Sequence, residues 1–231
     1  MKTIPNGKAN WAARVIVGFA FTITQVATIA QGITPYIVAD YPISPYTGGI
    51  AGFDSGSFSP AQTFTALGSG ELQDITIALA EDGPTPPNDV VVEFRSTVNG
   101  VPSSTVLASA TINGSLLAGI EPGSPVMLSA DFSSYQINVV SNSVYAFSLR
   151  TDTGFAFGCG SGNNYLYNYT DGSLFTSYDS GTTWSAQSLY SLNFEVTASP
   201  EPSTIALVGI GALANFFLAR SRQRVNEKHV F

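Results

Sequence analysis

The chain has 231 residues, a formal net charge of −7 and only 11% charged residues, well below the quarter usual for soluble domains. Its basic residues collect at the ends: Lys2, Lys8 and Arg14 at the start, and Arg220, Arg222, Arg224 and Lys228 at the finish, with only Arg95 and Arg150 between Gln31 and Ser199. An acidic middle without lysine repels phosphate backbones and excludes nucleic acid as a partner, and a lone Cys159 excludes an intrachain disulfide framework and thiolate zinc sites.

Met1 to Arg14 is polar and basic, and Val15 to Ala30 is apolar and uncharged with small residues near its end. A positive segment, an apolar core and a small-residue site make a secretory signal peptide over residues 1–30, cut after Ala30. The alternative, an uncleaved N-terminal helix, has an apolar run shorter than the ~20 residues a span needs. Gln31 to Ser57 carries Pro35, Pro42, Pro45 and Gly48-Gly49 and is expected to be an extended lead-in with turns.

From Phe58 to residue 198 the pattern is short strands broken by turn clusters. In Leu72 to Ala80, Ile75, Ile77 and Leu79 share one face by period two. Val90 to Val98 puts Val90, Val92 and Phe94 opposite Glu93 and Arg95. Asn99-Gly100 is a hairpin signal before the strand Val106 to Ile112, and Asn113-Gly114 is a further turn. Val126 to Phe132, Ser143 to Thr151, Phe155 to Phe157, Tyr165 to Tyr169, Leu174 to Tyr178 and Tyr190 to Thr197 complete the strand set. Many short strands at even spacing predict an all-β fold, a jelly-roll-like antiparallel β-sandwich.

Several residues within this region are candidates for function. Ser177-Tyr178-Asp179-Ser180-Gly181-Thr182-Thr183-Trp184 fits the Asp-box pattern S-x-D-x-G-x-T-W. Asp179 can accept backbone N–H groups, Gly181 can supply a positive φ and Trp184 can cover the turn, so these three are expected to be structural. Tyr165, Tyr167 and Tyr169 share one face of a strand and form a candidate platform for sugar rings, against core packing as the alternative. Glu81-Asp82 beside a proline-rich loop could attract calcium, but no calcium-binding motif is present, so no cofactor or metal ligand is assigned. The single histidine, His229, lies in the tail. The middle therefore has none for a Ser-His-Asp or Cys-His relay, and no catalytic residue is assigned.

At Ser199 the character changes. Pro200-Glu201-Pro202 ends the strand pattern, Ser203 to Ala219 is seventeen residues without charge, and Arg220, Arg222 and Arg224 follow. The run predicts a transmembrane helix over 203–219, with the arginines kept in the cytoplasm and the preceding region facing outward. Pro200-Glu201-Pro202-Ser203-Thr204, the apolar segment and the arginines resemble, in that order, a PEP-CTERM sorting signal over 199–231. The N-terminal signal peptide implies signal peptidase as one processing partner, and the resemblance implies an exosortase-type membrane protease as another. It also implies membrane attachment through the C-terminal helix before processing. Transit through the inner membrane would then lead to the cell surface or an exopolysaccharide matrix.

Two features depart from the pattern: the tail continues through Val225 to Phe231, and Asn215 interrupts the apolar run. The middle resembles more weakly the choice-of-anchor R β-sandwich domains, through Ala61-Gln62-Thr63-Phe64-Thr65, Leu72 to Leu79 and Asn99-Gly100-Val101-Pro102. The expected function is a non-catalytic surface or matrix protein that binds exopolysaccharide. The alternatives are a secreted carbohydrate-active enzyme using paired carboxylates and a self-assembling adhesive subunit.

Overall fold

Alternation decides which face of each strand is buried. In Gly70–Glu81, Leu72, Ile75, Ile77 and Leu79 are fully buried, whereas Asp74 and Thr76 face outward. The same period runs through Asp89–Val98, where Val90, Val92 and Phe94 point inward. It recurs in Phe194–Ser199, where Phe194, Val196 and Ala198 do so. The computed structural model describes residues 34–42, 48–54, 58–81, 89–121, 123–153, 155–162 and 169–200. Pro35–Glu201 form one compact unit. The expected signal peptide, spanning helix and basic cluster lie outside the described residues.

The described residues form strands β1 Tyr36–Tyr41, β2 Gly48–Asp54, β3 Ser59–Thr65, β4 Gly70–Glu81, β5 Asp89–Val98, β6 Val101–Asn113 and β7 Val126–Asp131. The series continues with β8 Asn138–Val139, β9 Val144–Thr151, β10 Phe155–Gly162, β11 Leu174–Ser177, β12 Ser185–Gln187, β13 Tyr190–Leu192 and β14 Phe194–Ser199. Two short 3-10 turns, Gly114–Leu117 and Ser133–Tyr135, accompany them, and no α-helix occurs among the described residues. The fold is all-β, as the spacing of strands and turns predicts. Among the described residues no helix is long and apolar enough to cross a membrane.

The strands make two antiparallel sheets. The first runs β1-β14-β4-β10-β13, with β2 on β10 and with β7 and β8 on β4; the second runs β12-β11-β3-β9-β5-β6. From β3 onward the chain alternates between the sheets, one or two strands at a time. Their inner faces share one core. Phe64 of the second sheet packs on Phe194 of the first at 6.1 Å between ring centroids, a separation favourable for aromatic pairs. Gln62 is the polar tie in this core. Its Oε1 accepts the Leu192 N–H at 3.0 Å and its Nε2 donates to the Thr63 carbonyl at 2.9 Å.

Two local readings gain detail. Asn99 and Gly100 have φ of 54° and 77°, the two positive angles of a type I′ turn, so β6 begins directly at Val101 and is longer than the alternation suggests. The lead-in contributes β1 and β2, which pair with β14 and β10. Cys159 on β10 is buried with Ala78 and Ala80, against Ile120. Burial pushes its thiol up to about 12, which makes it inert to exchange at neutral pH.

Candidate functional site

The Asp-box closes the β11–β12 hairpin. The Asp179 carboxylate accepts the Thr182 and Thr183 backbone N–H groups at 3.1 and 2.8 Å and the hydroxyls of Thr183 and Ser177 at 2.7 and 2.8 Å. These bonds, the Thr183 N–H foremost, lower the carboxyl pKa to about 2. Gly181 has φ of 81° and its N–H bonds to the Ser177 hydroxyl at 2.8 Å. Asp179 and Gly181 thus sit where turn chemistry puts them.

Trp184 packs on something that alternation does not reveal. The Arg95 guanidinium lies 5.5 Å from its ring centroid, within cation–π range. Arg95 is on the outer face of β5 yet only 4% exposed, because the Asp-box hairpin folds onto that face. It donates to Glu93 at 2.5 Å, to the Ser148 hydroxyl at 2.8 Å and to the Ser103 carbonyl at 3.0 Å. Arg150 on β9 donates to the other Glu93 oxygen at 3.0 Å. Burial alone would raise the Glu93 carboxyl, but the hydrogen bonds from Arg150 and Arg95 outweigh it and hold the group below its ordinary value. The only two basic residues between Gln31 and Ser199 therefore clamp a single carboxylate. No pairwise motif marks this cluster in the sequence; the scarcity of base is its one signal.

The outer face of the first sheet is of opposite character. Register aligns Asp40, Glu195, Thr76 and Ser129 in one row across β1, β14, β4 and β7. The next row is Ile37, Thr197, Asp74 and Asp131. With strands about 4.8 Å apart, the rows form a grid of carboxylates and hydroxyls. Asp40 stands directly opposite Glu195, and Asp74 directly opposite Asp131. Such like-charged cross-strand pairs destabilise a sheet. Burial first, and then the Asp131 charge, raise the Asp74 carboxyl pKa. Hydrogen bonds from Ser133 lower that of Asp131. Thr76 and Ser129 hydroxyls bond each other at 2.6 Å, and Thr197 donates to Asp74 at 3.4 Å.

Of the candidate tyrosines, Tyr165 and Tyr167 lie outside the described residues. Tyr169 is half-buried, with its ring edge-on to Phe194 at 5.2 Å and 5.9 Å from Tyr41. Burial pushes its phenol pKa up. The Glu81 carboxylate accepts the Gly119 N–H at 2.5 Å, while Asp82 and the loop after it lie outside the described residues. Among the described residues no three His, Cys, Asp or Glu side chains are grouped to hold a metal.

Pro200 is the last described residue and follows β14 directly; Glu201, Pro202, Arg220, Arg222 and Arg224 lie beyond it. No curated protein matches the chain. Residues 200–223 match the family model of the PEP-CTERM protein-sorting motif, which marks an exported protein that is sorted through the membrane by an exosortase-type protease, and by this motif the chain is a PEP-CTERM protein.

Proposed function

We propose that Gln31–Ser199 is a non-catalytic passenger, a jelly-roll-like sandwich related to the choice-of-anchor R domains, that binds exopolysaccharide at the cell surface or in the surrounding matrix. The observation that carries this reading is the sorting motif at 200–223, directly behind the last strand. The grid on the first sheet supports the ligand class. Asp40, Glu195, Asp74 and Asp131 offer acceptors to sugar hydroxyls, and Thr76, Thr197 and Ser129 offer both donors and acceptors. A neutral glycan meets this face without the repulsion that an anionic polymer would suffer. Retention of the secreted protein on the host's own purified polysaccharide tests the reading. Asp131→Asn with Asp40→Asn should weaken retention; retention unchanged by the pair, or absent from the outset, rejects it.

A catalytic reading rests on one observation. Asp74 and Asp131 are cross-strand neighbours whose carboxyls shift in opposite directions, the pattern of a general acid beside an ionised partner. They lie on an open sheet face, which ranks this reading second. Reducing-sugar release from the same polysaccharide, lost on Asp131→Asn, would reverse the order.

A further inference from the structure

We propose that the β6 edge of the second sheet pairs with the β6 edge of a second copy of this chain, in antiparallel register about a two-fold axis at Thr111. Among the described residues β6 pairs with β5 alone and is the longest strand. Sheet edges template further pairing unless they are short, charged or interrupted. The edge strands β12 and β13 have three residues each, and β1, β2 and β7 contain Asp40, Asp54 and Asp131. β6 instead begins a run without charge from Val101 to Ile120. In a chain of net charge −7, it is the long edge at which two copies meet with no carboxylate in the strand itself. Exposed apolar side chains lie on it at Val101, Val106 and Leu107, all in its first half, and flank it at Val98 and Leu116.

The backbone fixes which residues pair. Pro102 and the register shifts near Arg95 interrupt the first half of β6, a common protection of edges. The second half pairs regularly with β5 from Ala108 to Asn113. The Ser109 carbonyl accepts the Tyr135 hydroxyl, so the Ser109 backbone groups point away from β5. In an antiparallel pair N–H and C=O of one residue point the same way, and the direction alternates, so those of Thr111 and Asn113 point outward too. Centring the axis on Thr111 matches Thr111 with itself and Ser109 with Asn113, and each pair exchanges two N–H···O=C bonds. A carbonyl has two lone pairs, so the Tyr135 contact and the pairing coexist at Ser109. The partner is a second copy because the edge is its own complement in both charge and hydrogen bonding.

Cysteine substitution in the full-length chain tests the register, with buried Cys159 as a silent background. In Thr111→Cys the two Cα atoms stand about 5.5 Å apart, within disulfide reach. In Ser109→Cys they are separated by four residues of strand, about 13 Å, beyond that reach. Under mild oxidation Thr111→Cys should form disulfide dimer at least about tenfold above Leu189→Cys, an exposed control far from β6 in sequence, because pairing raises the effective thiol concentration. Ser109→Cys should stay at the control level. Co-expressed Ser109→Cys and Asn113→Cys chains should cross-link with each other, which tests the same register with Thr111 intact. Dimer at the control level in both Thr111→Cys and the mixed pair overturns the proposal. So does Ser109→Cys cross-linking as strongly as Thr111→Cys. Polysaccharide retention by the uncross-linked protein is read separately, so the two proposals fail independently.

Discussion

Arg95 shows how one residue can be committed to structure in a chain nearly without base. Its guanidinium has partners at Glu93, Ser148, Ser103 and Trp184. Arg95→Met removes all of these and leaves Glu93 half-buried with only Arg150 and the Ser148 hydroxyl as donors. Breaking a buried pair costs about 3–5 kcal/mol, and the solvent left to Glu93 brings the expected loss nearer to about 2 kcal/mol, read as a lower urea midpoint at constant slope. Arg95→Lys should recover little of it, since a lysine cannot present the planar fork. Acid weakens the same cluster. The Glu93 and Asp179 carboxyls have folded pKa values below their unfolded ones, so their stabilisation is complete above the unfolded values and is lost as pH falls through the folded ones. The unfolding midpoint should therefore drop between about pH 4.5 and pH 2, and less so in Asp179→Asn.

Asp74 has the opposite sign. Its folded pKa is raised, so its ionised form opposes folding and the penalty disappears as pH falls through the raised value. Asp74→Asn should stabilise the protein at neutral pH by about 0.5 kcal/mol, the screened worth of an exposed like-charged cross-strand pair. The gain should vanish once acid has protonated the wild-type carboxyl. A polysaccharide that uses this face should lose affinity in the same variant, so thermal midpoint and retention move in opposite directions.

At the scale of the element, the Asp-box hairpin depends on Gly181. A side chain there would be strained by the φ of 81°, and a Cβ would meet the Arg95 Nη2 at 2.8 Å. Gly181→Ala should cost about 2 kcal/mol, within the range for a residue held in an unfavourable backbone region. It should also change the Trp184 fluorescence, which a uniform loss of stability would leave unaltered in the folded state. The turn itself is legible in sequence because Asp179, Gly181 and the two threonines act within a few residues of one another. Its docking is not legible, because Arg95 lies far away in the chain. Alternation in β5 sets Glu93 and Arg95 opposite the core correctly but cannot report that a second element covers that face. The acidic grid is hidden for the same reason: Asp40, Asp74, Asp131 and Glu195 become neighbours only through the registers of β1, β4, β7 and β14.

For the whole molecule, the decisive element is the last strand. β14 lies between β1 and β4, so the last strand among the described residues is internal to its sheet while the sorting motif starts at the next residue. Phe194, Val196 and Ala198 are fully buried, and Phe194 packs on Phe64, Phe147 and Tyr169. Burial of a phenylalanine and a valine is worth about 1.5–3 kcal/mol each, and loss of β14 also strands the hydrogen-bonding groups of two neighbours. A chain ended after Asn193 should fail to fold and should be degraded after export, since the expected loss is comparable with the ~5–15 kcal/mol that holds a domain together. A chain ended after Glu201 keeps every described strand and should match the thermal midpoint of the processed protein, and without residues 202–223 of the matched segment it should appear free in the medium. The two truncations differ by eight residues, Phe194 to Glu201, and fractionation with limited proteolysis separates them. Equal protease resistance would mean that β14 is dispensable; membrane retention of the longer chain would mean that the passenger itself carries an anchor.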